Sequence, residues 1–132
     1  MTTLALRSPC PPGSCTCRRD ELLATPGADV RILRLTLHEE RRLLDRLENV
    51  RSLADLEHVQ RLMFEQLGIR LSITPGHGEV RSVRGIAIDF AEQPGLCRKT
   101  CRSIPAAIRS ALGRQPEIAW RLLDAHDLLG GS

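Results

Sequence analysis

The sequence predicts an α+β fold: an αα-hairpin, an antiparallel β-hairpin and two C-terminal helices, behind an irregular N-terminal arm rich in Cys and Pro. Three observations lead there. Apolar residues recur at three- and four-residue steps over 37–67, alternate over 69–90, and return to helical spacing after 103. Capping signals precede the first two helical runs, Thr36 with Glu39 and Ser52 with Asp55. Strands do not alternate with helices along the chain, which argues against a doubly wound sheet.

Residues 1–29 read as the arm, 30–129 as one small domain and 130–132 as a frayed tail. The arm carries Cys10-Pro-Pro-Gly-Ser-Cys-Thr-Cys17, which is turn chemistry with thiols at fixed offsets. One helical turn fits near 20–24, and Pro26-Gly27 ends the segment. Val30-Arg-Ile-Leu-Arg-Leu35 is short and fairly rich in β-branched residues, which makes it a candidate third strand, although its alternation is imperfect. A helix over 37–50 follows, with Leu37, Leu43, Leu44, Leu47 and Val50 on one face and charged residues on the other. Leu53, Leu56, Val59, Met63 and Leu67 define a helix over 53–67, and Gly68 stands where a helix-ending glycine belongs.

The period then changes. Ile69, Leu71 and Ile73 alternate with Arg70 and Ser72, and Thr74-Pro-Gly-His-Gly78 is turn material. A second strand over 79–90 puts Ile86, Ile88 and Phe90 on one face, with a bulge near Gly85 to reconcile Val80 and Val83. Residues 91–102 read as a connector. Ser103 is the expected cap of a helix ending at Gly113, and Pro116 opens the last helix, with Ile118, Leu122, Leu123 and Leu129 inward. Two strands alone are marginal in water. Either 30–35 joins them or the sheet pairs with a second copy, so a homodimer is one expected arrangement.

Composition excludes several function classes. No apolar run approaches the ~18–20 residues of a membrane helix, so no membrane partner is expected. The start of the chain has no apolar stretch typical of a secretory signal, and a reducing cytoplasm is the expected compartment. The chain has 18 Arg, one Lys (Lys99) and three aromatics (Phe64, Phe90, Trp120) in 132 residues. So few rings argue against a base-stacking platform for single strands.

The five cysteines are the most specific chemistry present. Cys10-x4-Cys15-x-Cys17 lies near one end and Cys97-x3-Cys101 near the other. A thiolate metal centre needs about four such ligands brought together from two short segments. All five are candidate ligands, for zinc or alternatively an iron–sulfur cluster, with His77 as a substitute. The opposing reading is that they are incidental small apolar residues holding no metal. Redox catalysis through Cys15-Thr-Cys17 is a third reading; it needs a depressed thiol pKa, for which Arg18 and Arg19 are candidate causes.

Net charge is only +3, but it is uneven. Residues 93–114 carry Arg98, Lys99, Arg102, Arg109 and Arg114 with no acid, and the hairpin adds Arg70, Arg81 and Arg84. One positive face built from Arg70, Arg81, Arg84, Arg98, Lys99, Arg102 and Arg109 suits nucleic acid or an acidic protein surface. A helix-turn-helix over 104–128 is disfavoured, because its second helix would enter the groove with net negative charge. There is no phosphate-binding glycine loop and no nucleophile elbow. His126 beside Asp124 and Asp127 reads as an exposed helix residue rather than an acid–base centre.

The unit from helix 53–67 through Gly68-Ile69-Arg-Leu to Val83-Arg-Gly-Ile-Ala-Ile-Asp-Phe90 resembles the helix-plus-hairpin units of plasmid mobilisation proteins. It covers under a third of the chain, which has no Tyr, so no relaxase chemistry follows. The resemblance implies an accessory protein of a mobile element.

The functional expectation is a non-enzymatic binding module that engages nucleic acid through the basic hairpin and loop, stapled by a cysteine-ligated metal. The alternative is a protein-interaction or inhibitor module docking on an acidic partner. A thiol redox enzyme ranks third.

Overall fold

The computed structural model describes residues 7, 10, 15, 17–75 and 85–125. Five helices, a 3-10 turn and a two-stranded antiparallel sheet make an α+β fold. The helices are α1 (Arg19–Ala24), α2 (Leu37–Glu48), α3 (Leu53–Leu67), α4 (Arg98–Arg114) and α5 (Pro116–Ala125), and the strands are β1 (Leu71–Pro75) and β2 (Ile86–Phe90).

The N-cap residues act as read, but the reciprocal half of the Thr36–Glu39 capping box does not form: the Thr36 N–H donates to the Arg34 carbonyl at 2.9 Å and the Glu39 carboxylate pairs with Arg42 at 3.4 Å. Thr36 accepts from the Glu39 N–H at 3.2 Å, and Ser52 accepts from the Asp55 N–H at 3.0 Å. Gly68 ends α3 in the left-handed region at φ 71°, a conformation that costs a glycine little. An ion pair between Arg46 and Asp55 ties α2 to α3. The main contacts of α2 are with α4, whereas α3 packs on the 3-10 turn and α5.

Segment 30–35 is not a third strand. Arg31–Arg34 is a 3-10 turn, and the sheet has only β1 and β2 among the described residues. The reason is burial. Ile32, Leu33 and Leu35 are all within 2% of complete burial. A strand would turn Ile32 and Leu33 to opposite faces, whereas a tight turn points both into the core beside α3.

Leu37 also departs from its expected place, being 58% exposed. The inward position in the first turn of α2 is taken by Glu40, which accepts a hydrogen bond from buried Thr100 at 3.0 Å.

Helix α4 begins five residues before the expected cap. Cys97 is its N-cap, and Ser103 lies inside, its hydroxyl donating back to the Lys99 carbonyl at 3.0 Å. Thr100, Ile104, Ala107, Ile108, Ala111 and Leu112 form one buried stripe, so packing carries the helix through Pro105. In α5, Ile118, Ala119 and Leu122 are buried, as the spacing predicts for two of the three.

In the sheet Ile73 pairs with Ile88 and Leu71 with Phe90, so the apolar side chains share the core face. The outer part of the predicted second strand, the bulge region before Gly85, Leu129 and the tail 130–132 lie outside the described residues. Among the described residues no helix is long and apolar enough to cross a membrane.

The described residues before Val30 are tied to this core. Leu22 on α1 is 5% exposed and belongs to the main apolar cluster. The Arg7 N–H donates to the Leu33 carbonyl at 2.7 Å, and the Gly95 N–H donates to the Cys17 carbonyl at 2.5 Å. These two bonds position the cysteine segments.

Candidate metal centre

The two cysteine segments meet. The sulfurs of Cys10, Cys15, Cys17 and Cys97 all lie within 4.8 Å of one another, close enough to hold a metal ion. Local structure explains why. Pro94-Gly95-Leu96 turns the chain out of β2 and into α4, delivering Cys97 at the helix start. Gly95 has φ 91°, and a Cβ there would meet Ile32 at 2.7 Å and Leu22 at 2.8 Å. Only glycine lets the loop and the N-terminal segment approach this closely. The Gly95–Cys17 backbone bond then fixes Cys17, 7% exposed, beside the loop. Cys10 and Cys97 are in sulfur–sulfur contact at 3.5 Å.

The thiols have unlike environments. Burial raises Cys97 far above the ordinary thiol range, reinforced by its contact with Cys10 and opposed by the positive charge of Arg7. Burial also raises Cys10. At Cys15 burial pushes the same way but loses. Hydrogen bonds from the Arg98 backbone N–H, from Cys97 and from both the thiol and N–H of Cys17 bring it to about 7. The expected cause, Arg18 and Arg19, is not the one found. Arg18 pairs with Glu92 at 3.0 Å, and Arg19 donates to the Arg7 carbonyl at 3.4 Å.

Arg7 was missed in the sequence. One guanidinium nitrogen, Nη2, reaches the Cys17 sulfur at 3.9 Å, while Nε and Nη1 are buried with no partner among the described residues. Nothing in a lone Arg three residues before a cysteine signals this; only the fold brings it there.

Cys101 does not join the four. It lies one turn along α4 from Cys97, half-buried against the apolar cluster, and burial and the nearby charge of Cys15 raise its thiol. The candidate substitute His77 lies outside the described residues, as does His126, while His38 and His58 are exposed on α2 and α3.

The basic residues divide into groups. Arg98, Lys99 and Arg102 are exposed at the start of α4, immediately after Cys97, and no acid occupies that first turn. Arg70 and Arg31 both stand over the Phe64 ring, at 5.6 and 5.5 Å from its centroid. Arg109 is committed to the fold, donating to the Ile86 carbonyl at 3.0 Å. Arg81 and Arg84 lie outside the described residues.

Four soft thiols within 4.8 Å of one another, one already lowered towards neutrality, are the donor set of a thiolate metal site. A metal there would join the N-terminal segment to the α4 start and make the chain a metal-stapled small module. No protein-family model matches the chain, and neither does any curated protein or solved structure.

Proposed function

We propose that the chain is a small non-enzymatic binding module, stapled by one cysteine-ligated zinc ion, that engages nucleic acid through the basic start of α4. The observation that carries this reading is the position of Cys97: it is both a member of the four-thiol group and the cap of a helix whose next exposed residues are Arg98, Lys99 and Arg102.

The sulfur spacing supports a single ion. Tetrahedral zinc with Zn–S of about 2.3 Å separates its sulfurs by about 3.8 Å, well inside the 4.8 Å span of this group. An iron–sulfur cluster sets several metal atoms between its thiolates and needs them farther apart. Four convergent thiols also favour ligation over dithiol redox chemistry, which uses two.

Phosphates are the natural partner of an acid-free cationic turn. The metal would hold that turn against the domain and so pre-organise the contact. Arg70 extends the reading to the edge of β1, and Arg109, held by the Ile86 carbonyl, contributes charge more than contact.

The test is binding of the zinc-loaded protein to duplex DNA and to structured RNA across a salt series. Three phosphate contacts give a slope of log affinity on log salt of about −3. The triple change of Arg98, Lys99 and Arg102 to Gln should weaken binding strongly and flatten the slope of whatever binding remains. Salt-insensitive binding, or none to either nucleic acid, overturns the nucleic-acid reading. A single stoichiometric protein partner that survives nuclease treatment would move the same surface to an acidic protein.

A further inference from the structure

We propose that Arg7 is the built-in counter-charge of the metal centre, a second-layer residue that sets metal affinity and quiets the bound thiolates. The inference rests on the metal-staple reading above and deepens it.

The argument starts from an unbalanced cation. The Arg7 guanidinium has two nitrogens, Nε and Nη1, buried without partners among the described residues, and its third, Nη2, reaches only the Cys17 sulfur, at 3.9 Å. Its charge also acts on Cys97. A guanidinium is costly to bury beside neutral thiols, because nothing there replaces its water. The cost disappears if the neighbouring sulfurs are thiolates. Four thiolates around a divalent ion carry a net charge of −2, which a cation at contact distance offsets strongly where water is excluded.

The backbone is arranged to keep Arg7 in place. Its N–H is fixed to the Leu33 carbonyl at 2.7 Å, and its own carbonyl accepts from Arg19 at 3.4 Å. Arg19 therefore braces Arg7 rather than the sulfurs. The Arg98 N–H aimed at Cys15 works in the same direction as Arg7, placing positive charge against sulfur. A sulfur that accepts hydrogen bonds and faces a cation holds its electron pairs more tightly. It is a poorer nucleophile, so the centre should be inert rather than reactive.

The experiment compares the wild-type chain with Arg7→Met and Arg7→Lys. Zinc affinity is read by competition with a chromophoric chelator. The reactivity of the zinc-bound thiols is read by alkylation rate. Outer-layer partners of a metal site typically set ten- to hundredfold in affinity. Arg7→Met should weaken zinc by that factor and speed alkylation at least fivefold, and Arg7→Lys should recover most of both. The tetrahedral cobalt(II) absorption pattern should persist in all three, showing that the ligands themselves are unchanged. If Arg7→Met does not fold, Arg7→Gln takes its place with the same thresholds.

Unchanged affinity and unchanged alkylation in the neutral variant overturn the proposal while leaving the staple intact. Loss in Arg7→Lys equal to that in Arg7→Met also overturns it, since shape rather than charge would then be responsible. A wild-type chain that takes up no zinc fails earlier, at the staple itself.

Discussion

Replacing Gly95 by Ala should strike the core and the thiol group together. The new Cβ would sit 2.7 Å from Ile32 Cγ2 and 2.8 Å from Leu22 Cδ2, about 0.7 and 0.6 Å short of an ordinary 3.4 Å contact. Ile32 is fully buried and cannot yield. The backbone adds strain, since φ is 91°. A side chain in that region costs roughly 1–3 kcal/mol, and overpacking a close-fitted core costs about 1–3 kcal/mol more. The total of about 2–6 kcal/mol is a large part of the 5–15 kcal/mol typical of a domain. The softest relief is to swing α1 away, because it is six residues long and held on its outer side by the exposed Arg18–Glu92 pair. That movement carries Cys17, two residues before α1, away from Cys97, two residues after Gly95. Urea unfolding of the metal-free protein measures the first effect, and chelator competition measures the second, expected to be a tenfold or greater loss of zinc affinity. A stability change below about 1 kcal/mol with unchanged zinc affinity would refute the claim that this close approach builds the site.

Two further outcomes follow from the electrostatics. Asp55 is held near 2 by its hydrogen-bonded Arg46, helped by the Arg51 N–H. A folded-state value below the unfolded one stabilises the protein above the usual carboxylate range, and the gain disappears as pH falls towards 2. The pair is partly exposed, 46% at Arg46 and 24% at Asp55, so after screening Asp55→Asn should cost about 1 kcal/mol at pH 7. The penalty should shrink towards zero in denaturation curves taken near pH 2; an equal penalty at both pH values would contradict this. In the metal-free protein Cys15, at about 7, should be alkylated first, at a rate rising with pH through that midpoint, while buried Cys97 stays slow. Mass-spectrometric mapping of the labelled sites checks the order, and uniform labelling of all five thiols would contradict it.

Much of the fold was legible because local signals and packing agreed. Thr36, Ser52 and Gly68 each mark a helix end through a short-range bond or a φ requirement, and each acts where the sequence places it. The period-2 run through Ile73 and the Ile86–Phe90 face gave the hairpin, but not its register: Thr74 and Pro75, read as turn, are strand residues that pair with Ala87 and Ile86. The misreadings share a cause. At 30–35 and at the start of α4, tertiary burial overrode local preference. Ile32, Leu33 and Leu35 needed one direction rather than two, and the buried stripe from Thr100 carried the helix past Ser103.

The site was half legible. Thiol chemistry and two-segment spacing named Cys10, Cys15, Cys17 and Cys97, but they also named Cys101, whose i+4 offset from Cys97 is a helical repeat rather than a shared target. Arg7 and Gly95 carried no sequence signal, since their roles arise only when the segment around Cys17 and the loop before α4 are brought together.

The most direct measurement is native mass spectrometry with elemental analysis on the purified chain, before and after a strong chelator. The account predicts one zinc per chain, retained in Cys101→Ser and lost or greatly weakened in Cys97→Ser, with a lower melting temperature once the metal is removed. A wild-type chain without metal after zinc reconstitution, melting at the same temperature with and without chelator, would contradict the account at its centre.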